Sequence, residues 1–205
     1  MNHPDFFDQV PRIALRDPLL EFLDAFSGGV VEYGYVDAVK LAGHSCPTVA
    51  GAYLMTAKAL AALYGDAVPE RGAVRAEFRD DATDGVTGVI AGVVSLITGA
   101  RQDDGFKGIA GRFDRRGLLV FGAPIAGEIR FTRLDTGAAV EVAFDPSPVP
   151  PDAGMRPLLQ RALARDAEPS ERAAFGRLWQ ERVRRILVDA RDDPRLVRVS
   201  PVPRG

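Results

Sequence analysis

Hydrophobic and polar positions alternate most cleanly over residues 72–79. Val74, Ala76 and Phe78 fall on one side, and Arg75, Glu77 and Arg79 on the other. That period of two predicts a half-buried β-strand. Residues 48–64 are patterned differently. Apolar side chains almost surround the segment, and only Thr56 and Lys58 break the pattern. Its Ala, Leu, Met and Lys content favours a helix, and Gly65 supplies a stop. A helix apolar on nearly every side must be packed on several sides, so this one is expected at the centre of the molecule. Residues 86–98 are apolar throughout. Their length and the stop at Gly99 predict a second buried helix, with Gly85, Gly88 and Gly92 offering a small face for close packing.

Shorter patterns fill the spaces between. Pro18 opens a short helix with Leu19, Leu20, Phe22, Leu23 and Phe26 on its apolar side, and Gly28-Gly29 ends it. Residues 30–35 are β-branched and aromatic, which predicts a short strand, and residues 36–41 form one or two helical turns. A strand is expected over 116–121. Residues 128–134 and 138–144 predict a hairpin turning at Asp135-Thr136-Gly137. Four prolines then mark 145–154 as a linker. Beyond it, 156–165 and 170–189 read as two helices. In the second, Phe175, Leu178, Trp179, Val183, Ile186 and Leu187 form a stripe at helical spacing, opposite an arginine-rich face.

This order predicts an α+β fold, a mixed sheet backed by helices. The expected organisation is an α+β domain over 1–144, a Pro-rich linker over 145–154 and an appended helical segment over 155–205.

Composition narrows the function classes. Of 205 residues, 46% are hydrophobic and 26% charged, as in ordinary globular proteins. A net charge of −2 exerts no general pull on nucleic acid or acidic membranes, so neither is expected as a partner. No apolar run is long enough to span a bilayer. Residues 1–9 carry acids and aromatics rather than a basic stretch followed by an apolar one, so no secretory signal is expected. The single cysteine leaves no internal disulfide and fits a reducing cytoplasm.

That cysteine lies in Gly43-His44-Ser45-Cys46-Pro47, beside one of only two histidines. A His-x-Cys pair unites two good ligands for a borderline-soft metal such as zinc. On an extended segment, residues two apart share a side, so one ion could bridge both. Pro47 disfavours a helical Cys46 and suits the first position of a helix. Cys46 would then stand at a helix start, where the dipole favours a thiolate.

The stretch and the small-residue helix after it resemble the FmdE-like family, named after a component of formylmethanofuran dehydrogenase, whose signature is His-Gly-His-x-Cys-Pro-Gly followed by such a helix. Leu96-Ile97-Thr98-Gly99 resembles that family's Leu-Thr-Gly segment. Phe106-Lys107-Gly108, then Arg112-Phe113-Asp114-Arg115-Arg116-Gly117, resembles its Gly-Lys-Gly segment and the strand turn after it. The resemblance covers about 36–122. The family's first histidine falls at Ala42, its glycine after proline at Thr48, and this chain has no second cysteine. The resemblance implies an α+β domain, often dimeric and often zinc-binding, whose namesake belongs to one-carbon metabolism.

His44 and Cys46 leave a metal with open positions, which suits catalysis or ligand binding better than a structural role. Asp81 and Asp84, just before the second buried helix, are the nearest candidate ligands. The alternative is that Asp84 caps that helix and Asp81 is a solvated turn residue. In the glycine-rich stretch 105–112, Lys107 and Arg112 could hold a carboxylate or phosphate. The leading expectation is a cytoplasmic, homodimeric zinc protein that takes a small anionic ligand, as an enzyme or as an accessory to one-carbon or oxidoreductase metabolism. The alternatives are a metal-free enzyme with Cys46 as nucleophile, activated by the helix start and by His44, and a dimeric interaction module.

Overall fold

The computed structural model describes residues 3–203. After a 3-10 turn at Asp5–Gln9 come strand β1 (Ile13–Arg16), helix α1 (Pro18–Phe22), a 3-10 turn at Ser27–Gly29, strand β2 (Val30–Tyr33) and helix α2 (Tyr35–Ala42). The central part runs α3 (Pro47–Tyr64), β3 (Val74–Phe78), α4 (Thr87–Thr98), β4 (Leu119–Val120), β5 (Ile129–Arg133) and β6 (Ala139–Phe144). The last part holds α5 (Met155–Ala162), α6 (Pro169–Arg184), a π-helical turn at Arg185–Asp189 and β7 (Val197–Pro201). The fold is α+β, as its sequence order predicts.

The main sheet has the order β4-β3-β5-β6-β7. Only β3 and β4 are parallel; the other neighbours are antiparallel, so the sheet is mixed. The alternation in β3 is realised as read: Val74, Ala76 and Phe78 are buried, while Arg75 and Glu77 face outward. The β5–β6 hairpin closes with Gly137 at φ 68°, a left-handed turn position that glycine takes without penalty.

Helix α3 is the hub. It packs against α2 and α4 on one side and against β6 and β7 on the other. Val49, Ala50, Ala52, Met55 and Ala59 are all fully buried. Gly51 lets the sheet come close: a Cβ there would stand 2.5 Å from the Phe144 ring. The buried Thr56 hydroxyl donates to Ala52 O at 2.8 Å, so its polar group is paired. Each large side chain buried here, such as Met55 or Leu60, contributes roughly 1.5–3 kcal/mol.

The structure corrects several sequence expectations. The strand expected over 30–35 stops at Tyr33, because Tyr35 already begins α2. The strand expected over 116–121 is only Leu119–Val120. β1 was not foreseen; it pairs with β2 as a separate two-stranded ribbon. The C-terminal segment is not helical alone. β7 completes the sheet beside β6, and Val183, Ile186, Leu187 and Leu196 lie in the same core as α3. The Pro-rich stretch 145–154 is laid against α6, where Arg182 Nε donates to Val149 O at 2.9 Å. The apolar stripe of α6 is thus covered, at its C-terminal half, by its own chain.

Candidate functional site

The helix-start loop is built as the sequence predicts. Cys46 is the N-cap of α3, extended at φ −151° and ψ 169°, and Pro47 is the first helical residue. The Cys46 sulfur accepts from Val49 N at 3.4 Å. Ser45 is clasped from two sides. Its hydroxyl donates to Gln180 Oε1 at 3.0 Å and lies 3.0 Å from the Tyr35 hydroxyl. Its carbonyl accepts from Trp179 Nε1 at 2.8 Å. Tyr35 is fully buried, and that burial drives its hydroxyl pKa up. The Tyr35 side chain is therefore a neutral hydrogen-bonding post.

The two expected ligands of this loop diverge. Cys46 is 8% exposed and faces the core. His44 is exposed, and its Nδ1 lies 2.9 Å from Ala42 O. Asp81 and Asp84 are exposed in the turn before α4. There Asp84 Oδ2 accepts from Asp81 N at 3.4 Å, and Val86 rather than Asp84 is the helix N-cap. Among the described residues, no group of three or more His, Cys, Asp and Glu side chains is placed to hold one metal ion. The set His44, Cys46, Asp81 and Asp84 is therefore not assembled. A zinc site needs about four donors, or three with an open position, and this chain brings two at most to the loop.

A second polar cluster was not foreseen as a site. Asp17 caps α1, accepting from Leu19 N at 2.9 Å and Leu20 N at 3.3 Å. It is 1% exposed. Its carboxylate also takes Arg71 Nη1 at 2.9 Å and Arg115 Nη2 at 2.6 Å. Burial alone would raise the Asp17 pKa. The Arg71 hydrogen bond and the Arg115 charge outweigh it and hold the group below the usual carboxylate value. Every guanidinium nitrogen of Arg71 has an acceptor, since Nε donates to Ile97 O and Nη2 to Leu96 O at the end of α4.

Arg115 is not saturated. The residue is only 6% exposed, and its Nη1 is buried without a hydrogen-bond partner. Burial lowers its pKa, partly offset by Asp17, though a guanidinium stays charged under any ordinary condition. Nη1 lies where a Cβ on Gly72 would fall, and a Cβ on Gly99 would stand 3.1 Å from it. Both glycines have positive φ, 86° and 74°. The cradle thus requires glycine on both steric and conformational grounds.

Arg115 lines a cleft of about 330 Å³ together with Arg71, Arg112, Phe113, Glu70 and Asp114. Arg112 is exposed and makes no side-chain hydrogen bond or ion pair among the described residues; its guanidinium lies 4.8 Å from the Phe113 ring centroid. Phe113 has φ 65° and Ala110 φ 49°, left-handed conformations that cost such residues on the order of 1–3 kcal/mol each. The loop holds them with paired backbone bonds between Ile109 and Arg112, both 2.9 Å, and with Arg115 N donating to Phe106 O. Gly108 passes so close to Arg112 O that any side chain there would collide. Of the two residues expected to hold an anion, the structure brings Arg112 to this cleft; Lys107 is exposed and outside its lining.

No family model matches the sequence, and no curated protein matches it. A solved structure similar to this chain is that of a tungsten formylmethanofuran dehydrogenase FmdE-like protein from Syntrophus aciditrophicus. The identity is 17%, over 84% of this chain and 74% of that one, with a TM-score of 0.42. It bears the name of the family that the Gly43–Pro47 stretch resembles.

Part of the arginine cleft had a sequence signal. Asp17-Pro18 is a strong helix-start pair, an N-cap acid followed by proline at the first position. Nothing local, however, announces that residues 17, 71 and 115 meet. Among the described residues, no helix is long and apolar enough to cross a membrane.

Proposed function

We propose that this protein binds a small anion in the cleft between Arg112 and Arg115. One observation carries the reading: Arg112 and the buried Arg115 line one cleft, and among the described residues Arg112 has no ion-pair partner and Arg115 Nη1 no hydrogen-bond acceptor. A buried charged donor without an acceptor is costly, and an oxygen of a carboxylate or phosphate supplies the acceptor. Asp17 holds Arg115 through Nη2, and Arg71 holds Asp17 in turn, so the guanidinium is fixed before a ligand arrives. The resemblance to the FmdE-like family adds a setting in one-carbon or oxidoreductase metabolism. His44 and Cys46 offer a metal only two side-chain donors, so no metal enters this reading.

Titration calorimetry with acetate and with inorganic phosphate, at constant ionic strength, tests it. The protein should bind at least one of them saturably, and Arg112→Gln should weaken that binding about tenfold, the worth of one charge-assisted contact. An absence of saturable binding of either anion overturns the proposal.

A further inference from the structure

The C-terminal half of the α6 stripe is covered by its own chain, but the N-terminal half borders a second, larger cleft. We propose that this cleft takes an acidic segment of a partner protein, docked as an amphipathic helix with leucine-sized apolar anchors. The cleft measures about 870 Å³, and its apolar walls are Pro4 and Phe6 beside the first turn, Leu158 of α5 and Leu178 of α6. Gly176 lines it in mid-helix, and a Cβ there would meet nothing within 4 Å. Glycine weakens a helix interior relative to alanine, and the fold makes no use of the space this one leaves. An incoming helix can use it, because recognition in a groove depends on close approach of the two backbones.

Charge selects the partner. Residues 155–185 carry eight arginines against four acids, a surplus of +4, which leaves −6 on the rest of a chain whose net charge is −2. Arg156, Arg165, Arg172 and Arg177 are exposed, and none makes a side-chain hydrogen bond or ion pair among the described residues. Outside the α5–α6 hairpin only Arg12, Arg112 and Arg198 share that state among the described residues. Arg177 lines the cleft itself. The acids of α6 are already engaged, Glu171 with Arg161 and Glu181 with Arg184, so the charge left over around the cleft is positive. Glutamates on a partner helix answer it, and apolar side chains of the same helix fill the walls. A nucleic acid strand answers the charge but brings no apolar side chain to Phe6 and Leu178. A bilayer surface meets a flat face better than a recess. A second copy would bind head to tail, a contact that propagates into rings or filaments.

The probe is a fluorescein-labelled helical peptide of Glu, Ala and Leu, with leucines on one face and glutamates on the opposite one. Fluorescence anisotropy at physiological ionic strength should show saturable binding to the full chain. Arg177→Gln should weaken it about fivefold, and exchanging the peptide's leucines for alanine about tenfold. Gly176→Gln meets nothing in its own chain and suits a helix better than glycine, so the thermal midpoint should not fall while peptide affinity drops at least about fivefold. Arg198→Gln removes an equally free arginine on β7 and should leave peptide binding as it is. The proposal is overturned by an absence of saturable binding, or by binding indifferent to Gly176→Gln. It is overturned equally if the leucine-free peptide, oligothymidylate or phosphatidylserine vesicles bind as tightly. Self-association in sedimentation that Gly176→Gln abolishes would give the cleft to a second copy instead.

Discussion

The helix-start loop and the arginine cleft make opposite use of reactive side chains. In the loop, a histidine and a cysteine are two residues apart in sequence, yet one points to solvent and the other caps a helix from within the core. In the cleft, residues 17, 71 and 115 are far apart in sequence, yet one carboxylate gathers two guanidiniums and leaves a donor over. Proximity in sequence supplied the right residue types without the right geometry. The converging site came instead from the start of α1 and from the loops that precede β3 and β4. Chemistry at the loop is used for structure, and chemistry at the cleft exceeds what structure needs.

The sharpest test of this contrast is removal of Asp17. Asp17→Ala leaves two buried or half-buried guanidiniums without their carboxylate and should destabilise the fold by about 3–5 kcal/mol in urea denaturation. A loss below about 1 kcal/mol would show that the cluster is as dispensable as an exposed ion pair. The acid limb of stability provides a second reading. The native Asp17 pKa lies below its ordinary value near 3.9. Its contribution is therefore complete above that value and is lost as pH falls through the depressed native one. Stability of the unmodified protein should drop below about pH 4 more steeply than that of Asp17→Asn, measured by urea midpoints at successive pH values.

A smaller effect is expected at the cradle. Gly72→Ala puts a methyl where Arg115 Nη1 lies and imposes φ 86° on a residue that resists it, and it should cost roughly 1–3 kcal/mol. Thermal unfolding of the variant beside Gly65→Ala, where nothing crowds a Cβ, separates collision from backbone strain. At the loop the changes should be smallest. Cys46→Ser retains an N-cap acceptor and should alter stability by no more than about 1 kcal/mol, while Cys46→Ala should cost about 0.5–2 kcal/mol. Protein dialysed with zinc at neutral pH should hold well under one equivalent, with Cys46→Ser no different. A full equivalent that Cys46→Ser removes would reverse the comparison and return the loop to a metal site.

Most of the fold was readable in the chain because its central elements are locally consistent. Alternation gave β3, nearly continuous apolar character gave α3 and α4, and the range read for α3 began within one residue of its start at Pro47. The misses share a cause. β1 and β7 are short strands paired across intervening helices, β1 with β2 and β7 with the distant β6, and β7 was hidden behind a Pro-rich stretch that looks like a spacer. Within the site, Arg112 was legible because glycines surround it. Arg115 stood in the same stretch and gave no sign, because its significance is a missing partner, and a missing partner is a property of three-dimensional packing.

The clasp on Ser45 gives the molecule an optical reporter. Trp179 is the only tryptophan in the chain, and its indole N–H is tied to the loop that begins the central helix. Fluorescence excited at the indole band therefore reports one event, the seating of α6 on that loop. If the C-terminal helices lift away before the core opens, emission will shift to the red while the far-ultraviolet helical signal is still largely intact. Coincident shifts would mean instead that the C-terminal segment and the central helix melt as one cooperative unit.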